Sequence, residues 1–212
     1  MMKTKIITLL ILISAFHFLT GQRLIFKDKN LQKAVTENFD LNKDGSINQF
    51  EADRIENLFL AGKGITSAED LHYFKNAKMI VMDDNNIANM SLKNMDQLQL
   101  FSCTGCKIIS FKAENLKKIT SLYLDNNRIE NISLKSIPLI NQLTVSLNKI
   151  KAIDLSSLKS LKNLNLEHNQ IQKLDISQNP NLQTLNIKEN PLKETDIRKG
   201  NQDVTIFGFH YY

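Results

Sequence analysis

The chain reads as a solenoid of short parallel strands, closed at its N-terminus by a small helical cap. Three observations predict this. One eight-residue pattern returns about every 21 residues. Its apolar positions alternate with a period of two, as they do on one side of a strand. An Asn stands at one fixed place in most copies. A length of 212 residues suffices for one large core or one run of repeats. Hydrophobic content of 42%, with three Pro and seven Gly, argues against a long low-complexity segment.

Residues 1–21 have the anatomy of a secretory signal peptide. Lys3 and Lys5 precede an apolar run from Ile6 to Leu19, and Thr20-Gly21-Gln22 offers a cleavage point after Gly21. The alternative is an uncleaved anchor, but the run is shorter than the roughly 20 apolar residues that cross a bilayer. Removing it takes away two Lys and no acid, so the formal charge falls from +5 to +3. With no basic stripe interleaved with aromatics, nucleic acid is not expected as a partner.

Residues 22–57 are expected to cover the open end of the core, as a solenoid's terminal repeat requires. Leu31, Ala34, Val35 and Phe39 fall at helical spacing. A second helix is expected from about Gln49 to Asn57, with Phe50 and Ile55 inward. Between the two lies Asp40-Leu-Asn-Lys-Asp44-Gly45-Ser46-Ile47-Asn48-Gln-Phe-Glu51. This fits D-x-[DN]-x-[DN]-G-x₅-E at each defined position and resembles an EF-hand calcium loop. The resemblance implies side-chain oxygens from Asp40, Asn42 and Asp44, the backbone carbonyl of Ser46, Asn48 directly or through water, and a bidentate Glu51. It implies calcium as a structural cofactor, with affinity on the order of 10⁻⁵ to 10⁻³ M. The alternative is a metal-free helix-loop-helix cap.

Residues 58–203 carry the repeats. Leu164-Asn-Leu166-Glu-His-Asn169-Gln-Ile171 has the form L-x-L-x-x-N-x-I. Copies begin at Leu58, Ile80, Phe101, Leu122, Leu143, Leu164 and Leu185, seven in all. The pattern resembles the leucine-rich-repeat family over about residues 58–200, whose consensus is L-x-x-L-x-L-x-x-N/C-x-L. The spacing has a physical reason. One L-x-L strand cannot bury its apolar face alone, whereas stacked strands about 4.8 Å apart share a continuous core. Where the chain bends off the strand, backbone groups lose their ladder partners, and a buried amide can satisfy them. Asn85, Asn127, Asn148, Asn169 and Asn190 would form that ladder, with Cys106 in the same slot. Lys63 does not fit the slot, so a distorted first turn is expected. A repeat of about 21 residues leaves little room for a helix, so short strands and extended or 3-10 segments are expected on the convex side. Thr66-Ser-Ala-Glu69 reads as a capping box opening a short helix through Leu71 and Phe74. Residues 204–212 read as a closing strand.

Cys103 and Cys106 fall on inward repeat positions and are read as buried thiols. A local disulfide and redox or metal chemistry are the alternatives. His72, His168 and His210 lie on separate segments, and no nucleophile motif, phosphate loop or carboxylate pair appears, so no catalytic residue and no enzyme are expected.

The x positions of each strand project from the concave face. Its N-terminal half carries Phe59, Met79, Val81, Leu100 and Tyr123, rimmed by Asp83 and Asp125. Such a cluster points to a partner-binding site. The alternative is that it packs against the cap. The repeats resemble those of bacterial internalin-type adhesion proteins. That resemblance implies an exported binding module, acting as a monomer, secreted or held at the cell surface or envelope, that recognises a protein or a surface glycan. A structural envelope component without a specific external ligand remains the alternative.

Overall fold

A computed structural model of the chain describes residues 21–209. Residues 1–20 of the segment read as an export signal, and residues 210–212 of the closing strand, lie outside the described residues. Helix α1 (Lys29–Phe39) comes first. It is followed by α2 (Gln49–Ala52). The strands run β1 (Asn57–Phe59), β2 (Met79–Val81), β3 (Asn89–Lys93), β4 (Leu100–Ser102) and β5 (Ser110–Glu114). Next come β6 (Ser121–Tyr123), β7 (Asn131–Lys135), β8 (Gln142–Thr144) and β9 (Asn163–Asn165). The last are β10 (Leu174–Asp175), β11 (Thr184–Asn186), β12 (Ile197–Arg198) and β13 (Thr205–Phe207).

One parallel sheet of eight strands takes the order β1-β2-β4-β6-β8-β9-β11-β13. Equivalent repeat positions pair in register, as in Leu122 with Leu143, Leu143 with Leu164, and Leu164 with Leu185. These side chains are buried. Each contributes roughly 1.5–3 kcal/mol relative to exposure, and only because the next turn covers it. The convex side carries a second parallel sheet, β3-β5-β7, and a short pair, β10-β12. Two 3-10 helices, Glu69–Tyr73 and Glu194–Asp196, complete that side. The expected solenoid with an extended and 3-10 convex side is therefore observed.

The Asn slot behaves as its chemistry requires. Oδ1 of Asn85, Asn127, Asn148, Asn169 and Asn190 accepts from N–H of Ile65, Ile108, Ile129, Ile150 and Ile171, each at 2.8–3.0 Å. Nδ2 of each donates back to carbonyls of its own turn and of the preceding one. The residue just before the slot is left-handed in every case: Asp84, Gly105, Asn126, Leu147, His168 and Glu189 all have positive φ. At Gly105 an added Cβ would stand 2.6 Å from Asp84 Oδ1, so the Asp84 side chain would have to move to admit one.

Three local expectations are corrected. Helix α2 stops at Ala52, because the chain must extend by Asn57 to start β1. Phe50 consequently points outward under the Arg54 guanidinium, which sits 3.5 Å from the ring centroid, while Ile55 is buried. The segment after Thr66 is a 3-10 helix without a side-chain cap. Thr66 is engaged elsewhere: its N–H and hydroxyl donate to Asp28 Oδ2.

That carboxylate fastens the cap to the solenoid. Asp28 Oδ1 caps α1 through the N–H groups of Asn30 and Leu31. Its Oδ2 accepts from Thr66 and Ser67 of the first turn. Asp70 answers from the solenoid side, accepting N–H from Lys27 and Asp28. Burial pushes the Asp28 carboxyl up, but the hydrogen bonds from Leu31, Thr66 and Ser67 together outweigh it and hold it below the ordinary carboxylate value.

Candidate functional site

The concave face is built from the strand positions that alternate with the core. In the middle column Phe59 is 64% exposed, and Val81 and Tyr123 are half-buried. Met79 and Leu100 are half-buried in the column beside it. Register places Phe59 next to Val81 and Met79 next to Leu100. The structure thus brings the expected apolar cluster together on neighbouring strands, and Phe59 is not covered by the described cap.

The two rim carboxylates are more constrained than an acidic rim would be. Asp83 Oδ1 accepts from Ser102 Oγ at 2.6 Å and from Thr104 N at 2.8 Å. Asp125 repeats the arrangement two periods further on, accepting from Thr144 Oγ1, Ser146 N and Ser146 Oγ at 2.5–2.7 Å. Each Asp is therefore clasped by a hydroxyl pair or a hydroxyl and an amide of the following turn. Their charge is fixed in place before any partner arrives, which lowers the ordering cost of binding. Aspartate followed about 20 residues later by Ser or Thr is the sequence pattern that carries this clasp.

The acidic loop winds around its own carboxylates. Asp40 accepts from the N–H of Asp44 and Gly45 at 3.2 and 2.8 Å. Asn42 Oδ1 accepts from Asp44 N, and Asn42 Nδ2 donates to Asp44 Oδ2. Asp44 Oδ1 accepts from Ser46 N and Ser46 Oγ. The Ser46 hydroxyl, outweighing slight desolvation and helped by Asn42 and Arg23, holds the Asp44 carboxyl below its usual value. Gly45, at φ +79°, makes the turn, and Ile47 is buried behind it.

Glu51 and Asn48 lie deeper. Glu51 is 2% exposed. Its Oε1 accepts from Leu41 N and Asn42 N, and its Oε2 from Asn48 N. Asn48 Oδ1 accepts from Glu51 N, completing a capping box on α2. Among the described residues no three His, Cys, Asp or Glu side chains stand close enough to hold a metal ion. The donor set nevertheless suits a hard cation in kind, since every expected ligand is an oxygen. Glu51 Oε2, which accepts one N–H, keeps a second lone pair, whereas Oε1 already accepts two.

Cys103 and Cys106 are buried, as expected of inward positions, but they are joined in a disulfide and are not free thiols. The pair occupies one turn of the Asn ladder. There Ile87 N donates to the Cys106 backbone carbonyl at 2.9 Å, in place of an Asn side chain. Lys107 follows in the left-handed region, so this turn is wound differently from its neighbours.

Sequence reasoning missed Phe207. It stands beside Asn186 in the register of β11 and β13, making it the eighth member of the middle column, and it is 46% exposed. Counting one further period from Asn186 would have found it.

The period, the parallel stacking and the Asn ladder together define the class: a leucine-rich-repeat solenoid. Among solved structures the chain is similar to internalin C2 from Listeria monocytogenes str. 4b F2365, with a TM-score of 0.53 and 21% identity over 86% of this chain and 94% of that one. It is also similar to a chain in the LRIM1/APL1C complex, with a TM-score of 0.56 and 18% identity over 74% of this chain. The match spans 36% of that longer chain. At such identities the likeness is one of fold. No protein-family profile and no curated protein sequence matches the chain.

Proposed function

We propose that the protein is an exported, non-catalytic binding module that recognises another protein through the N-terminal half of its concave face. One observation carries this reading. Phe59, Met79, Val81, Leu100 and Tyr123 form an accessible apolar cluster on neighbouring strands, beside the Asp83 and Asp125 carboxylates already fixed by Ser and Thr of the following turn. Aromatic anchors with ordered polar neighbours are the composition of a protein interface. The disulfide supports export, because such bonds persist in oxidising compartments. No described helix is long and apolar enough to cross a membrane.

The test is capture by the immobilised protein. Replacing Tyr123 and Val81 with Ser abolishes capture of the partner and leaves the thermal midpoint close to wild type. Undiminished capture by the double variant overturns the reading.

The cap takes calcium in a structural role. Asp40, Asn42 and Asp44, the Ser46 carbonyl, Asn48 and Glu51 would hold the ion. Support comes from the order of oxygen donors along the loop, the left-handed turn at Gly45, and the hydrogen bonds that already gather Asp40, Asn42 and Asp44. Calorimetric titration should give stoichiometric binding and a raised unfolding midpoint, both lost in Asp44→Ala and Glu51→Gln. Absence of heat at millimolar calcium overturns it.

A further inference from the structure

The C-terminal half of the concave face differs from the apolar half. A shallow depression of about 220 Å³ there is lined, over the buried Leu164, by Gln142, Asn163, Asn165, Thr184, Asn186 and Phe207. None of these six side chains is charged. They sit on β8, β9, β11 and β13, which are consecutive in the sheet and span roughly 14 Å at about 4.8 Å per strand.

The amides are ordered but not saturated. Asn163 Oδ1 accepts from Thr184 Oγ1 at 2.7 Å. Asn165 Oδ1 accepts from Glu167 N at 3.1 Å. Asn186 is held on both sides, donating to Glu167 Oε2 and accepting from Lys188 N. The Nδ2 groups of Asn163 and Asn165 and the whole side-chain amide of Gln142 have no protein partner among the described residues. These donors and one acceptor therefore point to solvent from side chains that are half-buried.

We infer that this depression is a binding site for a neutral oligosaccharide, separate from the apolar patch. The chemistry matches group by group. A sugar hydroxyl both donates and accepts, and so does an amide. The C–H face of a pyranose ring is apolar and packs on an aromatic ring, which Phe207 supplies at one end. The span accommodates two or three rings. An anionic ligand finds no cation among the lining residues. A peptide side chain finds no deep pocket.

The purified protein would be titrated with cellopentaose, maltopentaose and chitotetraose, followed by NMR of the side-chain amides. At least one sugar should shift the Asn163, Asn165 and Gln142 resonances at concentrations below about 10 mM. Phe207→Ala and Gln142→Ala should each weaken that binding by about tenfold or more, a loss in line with removing a ring contact or a hydrogen-bonded amide. Both side chains reach the surface and the Gln142 side chain bonds nothing in the fold, so folding is preserved; unchanged unfolding midpoints verify this. Tyr123→Ser should leave sugar binding intact, which separates this site from the protein-binding reading. No shift with any of the three sugars overturns the inference, as do shifts that survive both variants. Binding of an extended peptide at these amides with no response to sugar overturns it in favour of a peptide groove.

Discussion

At Asn148 one side chain closes four backbone groups: Ile129 N–H, and the carbonyls of Leu124, Val145 and Ser146. Asn148→Ala would strand these groups in a buried turn, where each unmet polar group costs about 1–3 kcal/mol. We expect a loss of about 3 kcal/mol or more in urea unfolding, well above the loss at a half-buried concave position such as Asn165. Asp28 gives a pH signature. Its folded pKa lies below the unfolded value, so its contribution is present above the ordinary carboxylate range. That contribution disappears as pH falls through the folded pKa. Asp28→Asn should lower stability at pH 7 and flatten the loss on acidification; a parallel acid curve would refute the role. The two residues also mark what sequence can reveal. Asn148 was legible because its role recurs every turn. Asp28 was not, because its partners Thr66 and Ser67 lie far along the chain and the contact occurs once.

At the scale of an element, the turn holding Cys103 and Cys106 has exchanged an amide for a covalent link. A closed loop this short restricts the unfolded chain modestly, by about 2 kcal/mol in the chain-entropy account. Reduction should lower stability by about that amount. The double variant Cys103→Val with Cys106→Asn should recover much of the loss without an oxidant, because Asn can again reach Ile87 N and the Met82 carbonyl region. Denaturant titration of the oxidised, reduced and double-variant forms decides this. Periodicity identified the two cysteines as inward, and they are. It could not distinguish paired from free sulfur, since both are apolar and buried. The same blindness appears at α2, where Phe50 and Ile55 fitted a helical face. The neighbouring strand β1 ended the helix before that face could form.

At the scale of the whole molecule, each described strand of the eight-stranded sheet pairs only with the strands of the turns beside it. The strand order and period were readable because one unit was written seven times with small errors. The division of the concave face was only half readable. The apolar half is conspicuous in composition, whereas the amide-rich half looks like ordinary solvated surface until β13 is seen to place Phe207 beside Asn186. Stability of such an array is approximately a sum of turn and neighbour terms, so damage at one end leaves the other end folded first in hydrogen exchange.

The common register of the ladder also makes length a variable that is separable from fold. The Asn-slot bonds recur in the same form from one period to the next: Asn148 and Asn169 make matching bonds to residues 19 and 24 earlier in the preceding turn and 3 earlier in their own. A copying error that duplicated residues 142–162 would insert a turn with all its partners already present, lengthening the protein by about 4.8 Å. An insertion between Cys103 and Cys106 would not be so forgiving, since it separates the two halves of a disulfide. The protein can therefore grow at its regular turns and not at its irregular one. A chain carrying that duplication should fold cooperatively and show one additional set of ladder resonances.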